Sequence, residues 1–185
     1  MHCMDFLCDI STEIVSAFKK RNPKKLRKLN DRVLRSSGVD FTKPNYDLAV
    51  ISYVLSKITS KQRFLTRQYD KQMKDIDRVL DALVKCSKEY SEKSWDDCLT
   101  SFSESVCNLE KDDPRFLTNL MSKGRLKVAA TMYAQGVSLG LASEMAGVEK
   151  QEIMDYAGKT MMFDRVKDEK TVLERIKNAR NLISR

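Results

Sequence analysis

The chain has 185 residues, a formal net charge of +8, and 42% hydrophobic and 32% charged residues, which allows one sizeable core or two small domains. The basic balance favours a polyanionic partner and says nothing about fold. No apolar run approaches a membrane span, and Asp5 and Asp9 interrupt any signal-peptide core, so the chain reads as a cytoplasmic protein without membrane association.

Six Gly, three Pro and few alternating β-branched runs predict an all-α protein. Residues 4 to 20 form an amphipathic helix through Phe6, Leu7, Ile10, Ile14, Val15 and Phe18. Asn22-Pro23 ends it and starts the next, with Asn as cap and Pro at the first helical position. That second helix buries Leu26, Leu29, Val33 and Leu34 and stops at Gly38. Between Lys19 and Arg35 stand nine basic residues against the single acid Asp31, a surplus equal to that of the whole chain. No aromatic interrupts this stretch, so it suits phosphate contact better than base stacking.

Pro44 opens a third helix, to Thr59, that is apolar almost all round and belongs at the centre of a bundle. From Lys61 to about Tyr90 one long helix is expected, with Tyr69, Met73, Ile76, Leu80 and Leu83 as a heptad-like seam. That seam would pack within the bundle or, alternatively, against a second copy. After Ser91 a further helix carries Trp95, Leu99, Phe102, Val106 and Leu109, with an acidic surface of Asp96, Asp97, Glu104 and Glu110 that would dock the basic stretch, within the chain or between chains. Asp112-Asp113-Pro114 marks a boundary, with Asp113 as cap and Pro114 at the first position of the next helix. It separates an N-terminal helical bundle, residues 1–112, from a C-terminal unit, residues 113–185. Gly124 is expected to break or kink the helix that opens the second unit.

Leu126 to Lys159 reads as three short helices. The first carries Leu126, Ala129, Ala130 and Tyr133 on one face and ends at Gly136. Ser138 caps the second, Leu139 to Ala146. Gly147 turns the chain, Val148 plugs the turn, and the third helix runs to about Ala157 before Gly158. Ala142 and Ser143 are small enough for a steep crossing, and Ala146, Val148, Ile153 and Tyr156 close the core, which is the pattern of a helix-turn-helix. The outward residues of the third helix would be Glu149, Lys150, Gln151, Met154 and Asp155. Lys150 would read guanine or a phosphate and Gln151 adenine, while the acids oppose a phosphate-lined groove. Beyond a link from Thr160 to Lys167, a last helix would bury Val172, Leu173, Ile176, Ala179 and Leu182.

Met132, Tyr133, Gly136, Ser138, Leu139, Gly140, Ala142, Ser143, Ala146, Gly147 and Val148 carry a resemblance to a small, largely archaeal family of uncharacterised, antitoxin-like proteins with a helix-turn-helix. It covers about 40 residues. Glu149 stands where that family has a capping Ser, and Gln151 where an aromatic is common. The family has no established activity to lend, and the resemblance implies an antitoxin-like role with a protein partner such as a toxin.

Catalytic chemistry finds little to work with. The five Cys form no Cys-x-x-Cys pair and the single His is His2, so reduced, mostly buried thiols are expected, with no metal and no cofactor. Gly158-Lys159-Thr160 matches the end of a phosphate-binding loop, but Ile153 occupies the position of its first Gly. The chain is therefore expected not to be an enzyme. The leading expectation is a DNA-binding regulator that grips phosphates through Lys24, Lys25, Lys28, Arg125 and Lys127 and reads bases through Lys150 and Gln151. A two-fold homodimer would place two such helices in successive major grooves. The alternative is a protein-interaction adaptor whose acid-leaning third helix meets a basic partner.

Overall fold

Apolar side chains at helical spacing leave this chain one economical way to hide them, and helix packs on helix throughout. The computed structural model describes residues 2–37, 42–112 and 119–165, with positions 176 and 180. The elements are α1 (His2–Lys19), α2 (Pro23–Ser37), α3 (Lys43–Thr59), α4 (Asp70–Lys88), α5 (Glu92–Asp112), α6 (Leu120–Ala134), α7 (Leu139–Ala146), α8 (Lys150–Lys159) and α9 (Met162–Arg165). No strand occurs among the described residues, and the protein is all-α. No helix among them is long and apolar enough to cross a membrane.

The nearly all-apolar α3 lies at the centre, against α1, α2 and α6. Tyr46, Leu48, Ile51, Leu55 and Ile58 are each buried there, and a fully buried side chain of this kind contributes about 1.5–3 kcal/mol. The expected seam of Tyr69, Met73, Ile76, Leu80 and Leu83 is buried as well. It is covered by α1 and α5 of the same chain, which leaves no apolar stripe there for a second copy. One continuous apolar cluster runs from Leu7 to Met162, so α6 packs on α3 across the expected boundary.

Several expectations are corrected. Residues 61 to 90 are not one helix: two short 3-10 turns, Gln62–Leu65 and Arg67–Tyr69, precede α4. Lys61 and Thr66 are extended, and the break turns both Phe64 and Tyr69 inward, edge to face at 5.1 Å between ring centroids. Gly124 does not break α6, which runs uninterrupted from Leu120 to Ala134. A Cβ there would lie 3.1 Å from Val54 Cγ2 and 3.3 Å from Val50 Cγ1, so its missing side chain lets α6 approach α3. α8 continues through Gly158 to Lys159, and the expected link is shortened by α9, anchored by buried Met162. Cys86 and Cys98 are joined as a disulfide between α4 and α5, and Cys107 is exposed, against the expectation of reduced and mostly buried thiols. Ile176 is 44% exposed rather than buried. The Gly38 stop, the Asp113-Pro114 cap and the rest of the last helix lie outside the described residues.

Candidate nucleic-acid interface

The basic surface begins at the corner between α1 and α2. Arg21 takes a left-handed conformation, φ 49°, with its N–H bonded to Phe18 O at 2.7 Å. Asn22 then caps α2, its Oδ1 accepting from Lys25 N at 2.9 Å, with Pro23 at the first helical position. Because Leu26, Leu29, Val33 and Leu34 turn inward, Lys24, Lys25, Arg27 and Lys28 must face water. Together with Lys20 they make no ion pair among the described residues.

Three other cations of the stretch are already engaged. Lys19 pairs with Asp81 at 2.7 Å and Arg21 with Asp77 at 2.7 Å, both on α4, while Arg32 pairs with Glu13 at 2.7 Å. Within the chain, the acids that dock the basic stretch are thus those of α4 and α1, not those of α5. Asp96 of α5 pairs instead with Lys43 at 3.4 Å. Arg21 also lies over the Phe18 ring, 4.5 Å from its centroid.

A groove of about 610 Å3 between α1 and α4 extends this surface. Val15 and Val84 line its base, with Lys20, Lys85 and Lys88 among its walls. The sequence reading missed Lys85 and Lys88. Their signal was available, since they stand one turn apart on α4, but only the packing of α1 on α4 places Lys20 across from them.

The C-terminal candidates divide. α7 is capped by Ser138, whose Oγ accepts from Leu141 N at 3.2 Å. Gly147 closes the helix at φ 61°, and Ser143 Oγ donates to Val148 O at 2.7 Å, pinning the turn into α8. Ala142, Ala146, Ile153 and Ala157 are buried between α6, α7 and α8. Outside, Glu149, Lys150, Gln151, Glu152, Met154 and Asp155 are all exposed. Gln151 Nε2 donates to Asp155 Oδ1 at 2.8 Å, so its amide is already engaged.

Of the seven expected contacts, Lys24, Lys25 and Lys28 stand together on α2, and Lys150 and Gln151 on α8. Arg125 and Lys127 share α6 but do not join either group. Arg125 lines a cleft between α3, α5 and α6. Lys127 is half-buried, its Nζ 3.2 Å from Met162 Sδ on α9. An amphipathic stem laid on its neighbours explains that placement, which spacing alone did not show.

No family model, no curated protein and no solved structure matches this chain.

Proposed function

We propose that the chain is a DNA-binding regulatory protein that holds the phosphate backbone with the exposed face of α2. The observation that carries this reading is the group of Lys20, Lys24, Lys25, Arg27 and Lys28, exposed and without ion pairs among the described residues. Cations that the fold does not neutralise are free to displace counterions from a duplex. In this reading α7 and α8 act as a helix-turn-helix, with Lys150 and Gln151 as the base-reading pair.

The test is fluorescence anisotropy on two labelled duplexes, one from the coding region's own upstream sequence and one scrambled, across a salt series. Lys24→Ala, Lys25→Ala and Lys28→Ala combined should weaken binding to both duplexes and lower the salt slope by about 2.7, at 0.9 per phosphate contact. Lys150→Ala with Gln151→Ala should leave that slope nearly intact and remove the preference for the upstream duplex. Absence of binding at low salt refutes the proposal.

A second reading rests on a different observation. The outward face of α8 carries Glu149, Glu152 and Asp155 against Lys150 and Lys159, with Gln151 drawn to Asp155. Such a face suits a basic protein partner, and the chain would then be an adaptor. A stoichiometric complex with a protein, without preference between the two duplexes, is what it requires.

A further inference from the structure

The cleft that receives Arg125 belongs to neither of the DNA contacts. Its volume of about 300 Å3 sits at the small end of the range for ligand sites, about 300–1,000 Å3. Three helices wall it. Val50 and Ile51 of α3, Leu99 of α5 and Met121 of α6 supply an apolar lining. On α5, Asp96, Thr100, Ser103 and Glu104 follow at helical spacing and line the cleft together.

The charges around this lining are of both signs. Asp47 is the deepest, with its side chain only 13% exposed. Trp95 Nε1 donates to its Oδ2 at 3.1 Å, and Lys43 Nζ lies 3.9 Å from the same oxygen. Burial raises the Asp47 carboxyl above its ordinary range; the Trp95 hydrogen bond and the charges of Lys43 and Arg125 oppose this, and Asp96 adds to it. Lys43 reaches Asp96 as well, so these three groups largely satisfy one another. On the opposite wall the Arg125 carbonyl accepts from the Tyr46 hydroxyl at 3.0 Å, which ties the Arg125 backbone to α3. Its guanidinium makes no ion pair among the described residues, and neither does Glu104.

A cation and an anion that make no ion pair among the described residues, set around an apolar lining, select a ligand that bears both charges. A simple anion would meet Arg125 but also three carboxylates. A simple amine would meet Glu104 and leave the guanidinium without a counterpart. We propose that this cleft binds a free α-amino acid with an apolar side chain. Its carboxylate pairs with Arg125, its ammonium with Glu104, and its side chain lies on Val50, Leu99 and Met121. The site stands independently of DNA binding.

The chain holds a single Trp, and Trp95 is bonded to the buried carboxylate of the cleft, so its emission reports on occupancy. The full chain is titrated with L-leucine, L-methionine and L-phenylalanine, and with isoamylamine and 4-methylpentanoate as single-charge analogues of leucine. At least one amino acid should give a saturable emission change, and both analogues should bind at least about tenfold more weakly than leucine. Arg125→Gln should erase the advantage of leucine over the amine. Glu104→Gln should erase its advantage over the acid. Both changes are at the surface, and circular dichroism checks that the variants are folded. The proposal fails if no amino acid of the three gives a saturable signal by emission and calorimetry up to about 10 mM. It fails equally if the analogues bind as well as leucine, or if folded Arg125→Gln keeps the full preference.

Discussion

At Gly124 the absent side chain is what allows α6 to approach α3, whereas at Gly158 nothing lies within 4 Å of where a Cβ would stand. Neither residue has the positive φ that only Gly adopts easily, unlike Gly136 and Gly147. Substitution should therefore separate them. Gly124→Leu forces a large side chain between Val50 and Val54 and should cost about 1–3 kcal/mol by urea unfolding. Gly158→Ala removes unfolded-chain freedom at a compatible helical position and should stabilise by about 0.4–1 kcal/mol. A fall in stability for both would show that Gly158 also has a close neighbour. In the sequence Gly124 looked like a break or kink and Gly158 like a helix end, because composition shows that a Cβ is missing but not what would occupy its place. Gly147 was legible as a turn because its requirement is local.

Helix limits followed the same division between local and distant causes. Asn22 and Ser138 could be read as caps because the groups they satisfy lie within three residues. The seams on α4 and α5 were legible because burial repeats every three or four residues. The break at residues 61–69 was not, since the two 3-10 turns bury Phe64 and Tyr69 by packing on α3 and α4, which no periodicity records. α7 has eight residues and α8 ten, too short to hold without caps and packing. Ser138→Ala should therefore cost about 1 kcal/mol, and Ser138→Gly only a few tenths. The α8 cap is the reverse case, because Glu149 makes no side-chain cap bond. Glu149→Ser would complete a capping box with Glu152 three positions on and should raise stability by about 0.5–1 kcal/mol. Chemical unfolding and amide exchange within α7 and α8 measure both effects, and an unchanged Glu149→Ser midpoint would mean the new hydroxyl finds no backbone donor.

Over the whole molecule, charge was legible in amount but not in distribution. The surplus between Lys19 and Arg35 equals the net charge, yet the fold removes part of it by setting Asp77 and Asp81 of α4 against Arg21 and Lys19. The likewise unforeseen placement of Arg125 beside Asp47 and Asp96 depends on three helices meeting. If the α1–α2 corner holds DNA phosphates, those two acids restrain it, and removing them should strengthen binding. Asp77→Asn with Asp81→Asn frees Lys19, which is half-exposed, more readily than Arg21, which stays held over Phe18. The salt slope of duplex binding should therefore steepen by between about 1 and 2, at 0.9 per added phosphate contact. Because partly exposed pairs are worth about 0–1 kcal/mol each, unfolding stability should fall only slightly. Anisotropy across a salt series, with urea unfolding on the same sample, checks both. An unchanged slope with an intact fold would place the DNA contact away from this corner, whereas a steeper slope gained at little cost in stability would assign these acids to tuning the polyanion surface rather than to holding the fold.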